Sequence, residues 1–379
     1  MATDQALTLR AALVIGLASS LSYAVCGGLT LDGTPAAFAA IVAALVVRPD
    51  FSRWPIALYA VLPLAVGVSM AIGEFFGLAL ADMPQLLVFG AVAALMQLFS
   101  LLLPLRLRML SGAIACTGVL PLLSTPSWSS WATELLAIVL GLAIGTALQI
   151  AFTPARLRQS PKPQHAGAAP PQPAEPTLAQ RLQAGLHSPL FWRKLVFASL
   201  GLAIGEGLGA VTPKYVYFGV VLLLNDSIGA TLARVRDRMA GVSLGVLMPL
   251  LVFNTLGMGT LSVGVVMAGT AALATALRFT PYLNTALISS GVAFIGYGPL
   301  VAWYIPNRWL DYLLGSGLAL VVGLLLFPNS ALRRFNQLEA SGDAATAERL
   351  QLLPAALEEA RWLGLPAPRL PATQQPPLS

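Results

Sequence analysis

Residues 135–152 of this chain read Leu-Leu-Ala-Ile-Val-Leu-Gly-Leu-Ala-Ile-Gly-Thr-Ala-Leu-Gln-Ile-Ala-Phe, and none of these side chains is charged. A helix of this length covers about 27 Å, close to the roughly 30 Å hydrocarbon core of a bilayer. Similar blocks recur along the 379 residues, of which 57% are apolar and 10% charged. Soluble domains contain about 25% charged residues. The composition therefore predicts an all-α polytopic membrane protein and excludes a soluble enzyme, a secreted disulfide scaffold and a disordered tail.

The apolar blocks predict about twelve membrane-spanning helices. Two polar stretches, residues 155–191 and 330–379, take up most of the remaining chain. Because no room is left for a separate soluble domain, we place any transport in the membrane itself. The predicted spans are 11–28, 35–47, 54–80, 85–105, 109–123, 129–153, 195–212, 215–232, 239–256, 258–277, 282–298 and 309–328.

Basic residues mark alternate connections between these spans. Arg234, Arg236 and Arg238 form a predicted loop on one side, whereas the connections on the opposite side hold only Lys214 and Arg308. Cytoplasmic connections of membrane proteins carry the excess of Lys and Arg. The pattern therefore predicts that both termini are cytoplasmic.

A proline-rich segment divides the chain. Residues 155–191 have a composition that does not bury a core, and they are predicted to act as a cytoplasmic spacer. The flanking residues 1–154 and 192–329 are each predicted to form a six-helix membrane repeat. Because six is an even number, the two repeats share one orientation and are parallel.

The tail, residues 330–379, is predicted to be cytoplasmic, with one amphipathic helix and a disordered end. The helical rhythm runs over about 343–363, with Glu358 and Glu359 on its polar side and Trp362 on its apolar side. Such a helix either lies on the membrane or packs between protomers.

Charged residues within the spans are candidates for function, because intramembrane charge is costly. Glu74 and Glu206 lie in the third and seventh predicted spans, and Glu206 is the better placed, about 12 residues into its helix. Such carboxylates suit a proton-coupled carrier; the alternative is that both are hydrated near an interface. Lys214, Arg308 and Asp311 form a second group of candidates, in which Arg308 or Lys214 attracts an anionic substrate; the alternative is a local ion pair between Arg308 and Asp311, which are three residues apart.

The remaining motifs predict close packing of helices and argue against several kinds of ligand and partner. Glycine pairs four residues apart predict close helix contacts. The sequence has no P-loop, nucleophile elbow or zinc-ligand pair, so we expect no enzyme, no cofactor and no metal site. Scattered basic residues predict no nucleic-acid partner. The glycine pairs are Gly141 with Gly145, Gly201 with Gly205, and Gly241 with Gly245.

Two segments of the second half resemble one transporter superfamily. Residues 234–245, Arg-Val-Arg-Asp-Arg-Met-Ala-Gly-Val-Ser-Leu-Gly, are similar to the arginine–glycine motif that opens a core helix in the fusaric acid resistance and aromatic acid exporter superfamily. Residues 307–315, Asn-Arg-Trp-Leu-Asp-Tyr-Leu-Leu-Gly, are similar to its closing helix, which ends in a proline. The residues that carry the resemblance are Arg234, Arg238, Gly241, Gly245, Arg308, Asp311, Gly315 and Pro328.

The resemblance implies a multi-pass transporter of the bacterial inner membrane that exports aromatic or other organic acids or toxic compounds. The chain lacks the large cytoplasmic domain of better-known members, so it is similar to a compact branch. A separate periplasmic membrane-fusion adaptor, an outer-membrane channel and a second copy of the chain are implied partners, beside the lipid bilayer and a small organic anion. The alternatives are an anion channel of the same superfamily and a membrane scaffold without transport. A major-facilitator carrier ranks lower because its loop signature is missing.

Overall fold

Leucine- and alanine-rich runs with few interior prolines favour helices, and helices make up most of the chain that the structure describes. The computed structural model describes residues 2–52, 56–104, 107, 110–154, 176–210, 212–297, 300–326, 328–340 and 346–368, and within these ranges all regular secondary structure is helical. Most of the predicted proline-rich spacer and the end of the tail lie outside the described residues.

Sixteen α-helices lie within the described ranges. They are α1 Ala2–Gly28, α2 Thr34–Val46, α3 Ile56–Ala79, α4 Gln85–Leu102, α5 Ser111–Thr117, α6 Trp128–Phe152, α7 Leu178–Leu186, α8 Pro189–Gly207, α9 Lys214–Leu223, α10 Ile228–Gly245, α11 Leu247–Leu256, α12 Thr260–Ala276, α13 Leu283–Gly291, α14 Val301–Leu320, α15 Ala331–Ala340 and α16 Thr346–Leu363. Short 3-10 helices occur at Pro121–Leu123 and Thr280–Tyr282. π-Helical turns extend α13 over Val292–Gly296 and α14 over Val321–Leu326.

Six stretches of the described residues are long and apolar enough to cross a membrane. Several further helices are apolar but shorter. The all-helical membrane class is therefore confirmed, whereas twelve spans, the parallel repeats, the domain boundaries and the cytoplasmic termini stay predictions. The six stretches are Leu9–Gly28, Ala57–Ala79, Gln85–Leu102, Trp128–Phe152, Ile228–Leu256 and Trp303–Leu326.

The predicted loop at 234–238 is wrong, because these residues lie inside α10. The chain turns earlier, at 224–227, where the Ser227 hydroxyl accepts a hydrogen bond from the Ala230 amide at 3.3 Å. Serine is a favoured residue at the start of a helix, since its side chain accepts from the first turn. Arg236 then pairs with the neighbouring Asp237 at 2.9 Å, which offsets part of the cost of continuing a charged helix.

Two other predicted spans have different boundaries. The segment 109–123 is interrupted at Gly118 and Pro121, where α5 gives way to a 3-10 helix, because proline removes a helical hydrogen bond. The last span begins at Val301 instead of 309. Arg308 and Asp311, near the predicted start of this span, therefore lie two to three turns into α14.

The described residues form two compact units, whose boundaries fall inside α10 and α14. The first unit comprises residues 1–188 and 240–310, and the second unit comprises residues 189–239 and 311–379.

Small residues build the core of the first unit. α6 crosses α2 where Gly141 faces the Ala39 carbonyl, and a Cβ added to Gly145 would lie 2.6 Å from the Ala43 carbonyl oxygen. This close contact confirms the packing predicted from the Gly141 and Gly145 pair, since glycine lets backbones approach.

Glycines also hold the helices of the second unit together. Gly201 of α8 packs on the backbone of Tyr217 in α9. On the other side of α9, a Cβ added to Gly219 would lie 2.6 Å from the Cα of Gly315 in α14. The backbones of α9 and α14 are therefore in direct contact.

The second unit ends in a C-terminal hairpin, which we define as α15 and α16. Its apolar core contains Phe335, Ala356 and Ala360. The prediction that Glu358 and Glu359 lie on the polar side is wrong, because both are buried. Each carboxylate has polar partners inside the unit, and these partners replace the water that an exposed carboxylate would bind.

Candidate functional site

An arginine and two tyrosines meet in the second unit, and we call Tyr215, Arg238 and Tyr312 the arginine–tyrosine cluster. The Arg238 guanidinium donates a hydrogen bond from Nη2 to the Tyr312 hydroxyl at 2.9 Å. Its Cζ lies 5.1 Å from the centroid of the Tyr312 ring. Tyr215 stacks on Tyr312 with the centroids 4.8 Å apart and the rings 29° from parallel. Both tyrosines are buried.

The contact between Gly219 and Gly315 positions this cluster. Tyr215 precedes Gly219 by four residues on α9, and Tyr312 precedes Gly315 by three residues on α14. Residues three and four apart share one face of a helix. The glycines therefore bring the two tyrosines face to face one turn away, where α10 supplies Arg238.

The cluster offers an unused donor for an anion. Arg238 Nε is buried and has no hydrogen-bond partner in the part of the chain that the structure describes. A guanidinium keeps its positive charge and presents a planar fork of N–H groups that matches a carboxylate. A buried donor without a partner is unusual and calls for an explanation. The arrangement is chemically suited to hold a carboxylate beside aromatic rings.

A second arginine–aromatic group lies in the first unit. Arg308 is 1% exposed, and its Cζ lies 5.5 Å from the centroid of the Tyr304 ring. Tyr297 stacks on Tyr304. Because aromatic faces attract cations, this contact stabilises a charge placed inside the apolar stretch Trp303–Leu326.

Asp311 and Lys214 flank the connection from α8 to α9. The Asp311 carboxylate accepts hydrogen bonds from the backbone amide of Thr212, at 2.6 Å, and from the Thr212 hydroxyl. Lys214 is the first residue of α9 and is half-buried. Asp311 therefore fixes the residues that lead into α9, the helix that carries Tyr215. It is a positioning residue for the cluster.

The two candidate carboxylates have opposite surroundings. Glu74 of α3 is 2% exposed and accepts a hydrogen bond from the Ser127 amide at 2.5 Å. Glu134 of α6 lies close enough for the two charges to repel. Glu206, by contrast, is exposed one residue before the end of α8. The buried position thus belongs to Glu74, although the sequence favoured Glu206.

The remaining motif residues either pack against neighbouring helices or are exposed. Arg234 is exposed, and its Nη1 lies 3.4 Å from the Leu222 carbonyl oxygen as a donor. In the first unit, a Cβ on Gly241 would lie 2.7 Å from the Thr285 side chain, and Gly245 packs against the α13 backbone. Pro328 is exposed between α14 and α15.

Sequence reasoning missed Tyr215 and Tyr312 as site residues. The spacing of Tyr215 to Gly219 and of Tyr312 to Gly315 is visible in the sequence, but only the fold shows that these glycines meet. For metals, no group of three or more His, Cys, Asp or Glu side chains suited to an ion occurs within the described residues.

Comparison with known proteins identifies the region that carries the arginine–tyrosine cluster. Residues 196–322 match the model of the family described as fusaric acid resistance protein-like. No curated protein and no solved structure matches the chain. The matched range contains Arg238, Gly315 and both cluster tyrosines, and it confirms the resemblance seen in residues 234–245 and 307–315. Residues 196–322 are therefore similar to the fusaric acid resistance protein-like family.

Proposed function

We propose that the protein is a membrane transporter that exports aromatic or other small organic acids, with protons as the coupling ion. The family match over residues 196–322 and the apolar helices support a membrane protein of transporter type. The substrate class, the direction of transport, the coupling ion and the inner-membrane location go beyond that support and are part of the proposal. A separate periplasmic adaptor, an outer-membrane channel and a second copy of the chain belong to the same proposal as partners.

One observation supports the substrate class. Among the described residues, the Nε–H of Arg238 has no hydrogen-bond partner, and this arginine lies next to two stacked tyrosines. A carboxylate that accepts from Nε gains a charge-assisted hydrogen bond, which is worth about 1.5–3 kcal/mol. The tyrosine rings contribute about 0.5–1.5 kcal/mol more for an aromatic partner than its buried area alone. Aromatic carboxylates should therefore bind better than aliphatic ones of the same charge.

Glu74 supports the coupling to protons. A carboxylate buried within an apolar helix costs less when it is protonated, and intramembrane carboxylates form proton relays in pumps and transporters. Glu74 has one backbone donor at 2.5 Å and a like charge nearby. This surrounding suits a group that takes up and releases a proton, whereas Glu206 is exposed.

The experiment measures retention of labelled benzoate in cells that express the wild-type chain, Arg238→Gln or Arg234→Gln. Arg234 is the matched control because it lies one turn earlier on α10 and is exposed. Loss of the Arg238 contact should reduce efflux by about tenfold or more, since 1.4 kcal/mol corresponds to a factor of ten. Arg234→Gln should export like the wild type. Equal retention in all three strains and in cells without the protein would overturn the proposal.

A second comparison tests coupling. Glu74→Gln keeps an acceptor for the Ser127 amide but removes the titrating group, so we expect efflux that no longer follows the pH gradient. Glu206→Gln is the control and should keep the gradient dependence. If wild-type anion currents reverse at the anion equilibrium potential and ignore the pH gradient, the protein is a channel and the coupling proposal fails.

A further inference from the structure

Helix α16 of the C-terminal hairpin presents an apolar stripe outward. Leu350, Pro354 and Leu357 follow each other at intervals of four and three residues, and all are exposed. The next position on this face is Arg361, which is also exposed, and Trp362 and Leu365 beside it are 58% and 48% exposed. Residues at this spacing form one continuous face of a helix. The exposed side of α16 therefore carries three apolar side chains in a row, with the exposed Gln351 beside them and Arg361 after them.

Two buried carboxylates of α16 fix the orientation of this helix. Glu358 accepts from Arg236 Nη1 at 2.6 Å. Glu359 accepts from the backbone amides of Ala331 and Leu332, at 2.9 and 3.3 Å, and from a serine hydroxyl. Turning the stripe inward would break these contacts and leave buried donors without partners, which is costly.

The contacts with α10 show where the end of α16 lies. Ala355 meets Gly229 near the start of α10, and Glu358 meets Arg236 two turns further along. The two helices therefore advance together at this contact. The next turn of α16 carries Trp362, whose indole N–H donates a hydrogen bond to the Glu358 carboxylate at 3.0 Å.

A groove lies beside the stripe within the hairpin, with a volume of about 460 Å³. Arg333, Asn336 and Gln337 of α15 line one wall, and Leu363 and Leu365 line another. Glu359 also lines the groove, but its carboxylate is engaged by the first turn of α15. The groove thus combines a cation and two amides with an apolar wall, which matches an amphiphile that has an anionic head.

From these observations we infer that the C-terminal hairpin is an anchor for the surface of an anionic bilayer. The apolar stripe of α16 and Trp362 insert at the interface, where tryptophan is favoured. Arg333 binds the lipid phosphate, and Asn336 and Gln337 donate to its oxygens. The inference rests on the chain lying in a membrane and is independent of what the chain transports.

The test uses the full chain with Cys26→Ala and Cys116→Ala, labelled with an environment-sensitive fluorophore at Leu357→Cys. The protein is reconstituted in vesicles of phosphatidylcholine with or without phosphatidylglycerol, and brominated acyl chains serve as quenchers. We expect quenching that increases with phosphatidylglycerol. Arg333→Gln should lower the ratio of inserted to free hairpin about fivefold in the anionic vesicles, since one arginine near an anionic surface contributes about that factor. Arg10→Gln, which changes another exposed arginine, should leave the ratio unchanged.

Three outcomes would overturn the inference. The first is a label that emits as in water and escapes quenching in both lipids. The second is a blue-shifted label that escapes quenching, because a protein, such as a second copy of the chain, then covers the stripe. The third is equal quenching in both lipids with no effect of Arg333→Gln. The same label at Leu350→Cys, seven residues earlier on the stripe, is a control for an effect that is confined to one labelled position.

Discussion

Glu359→Ala should loosen the C-terminal hairpin strongly. The wild-type carboxylate is 2% exposed and accepts from the amides of Ala331 and Leu332 and from the Ser330 hydroxyl. Water does not readily replace it, and the positive end of α15 loses its compensating charge. Two orphaned amides cost about 1–3 kcal/mol each, so we take about 3 kcal/mol for the variant as a whole.

Hydrogen–deuterium exchange of the α15 amides measures this change directly. A loss of about 3 kcal/mol corresponds to opening that is about a hundredfold more frequent. Glu359→Gln should lie between the wild type and the alanine variant, because its amide oxygen still accepts. Glu348→Ala is the control; its pair with Arg334 is half-exposed, and such pairs are worth less than about 1 kcal/mol. If Glu359→Ala exchanges no faster than Glu348→Ala, the capping role is wrong.

Two further predictions concern the second unit. Gly219→Ala should destabilise the protein by about 1–3 kcal/mol in thermal unfolding, because its Cβ would meet the rigid backbone of Gly315. Gly317→Ala, whose Cβ meets nothing within 4 Å, should be neutral or stabilising, and equal losses in both variants would contradict the packing. A double-mutant cycle on Arg236 and Glu358 should give a coupling of about 1–2 kcal/mol, since the pair is partly buried at 2.6 Å. A coupling near zero would mean that the pair does not hold α16 to α10.

The sequence predicts the helical membrane class because long apolar runs fix it. Residues 135–152 lie within α6, and the packing expected from Gly141 and Gly145 occurs. The loop placed at 234–238 failed because charge was taken as a sign of a connection. Arg236 instead finds partners in Asp237 and Glu358, and Glu358 is distant in sequence and close only after folding.

The candidate site was predictable only in part. Arg238 stands in a motif that the sequence singled out, but Tyr215 enters through a helix contact that no local pattern reveals. Burial was equally hard to predict, since Glu74 and Glu206 both stand between glycine and other small or apolar neighbours. Only the packing of α3 against Ser127 encloses Glu74, whereas Glu206 lies at the open end of α8.

Flux of labelled benzoate into proteoliposomes tests the central claim most directly. The purified wild-type chain should move benzoate, flux should follow an imposed pH gradient, and Arg238→Gln should reduce the flux about tenfold or more, in line with a lost charge-assisted bond. Arg234→Gln should match the wild type. Wild-type vesicles that move benzoate no faster than empty ones, or an Arg238→Gln variant that transports as well as Arg234→Gln, would contradict the account.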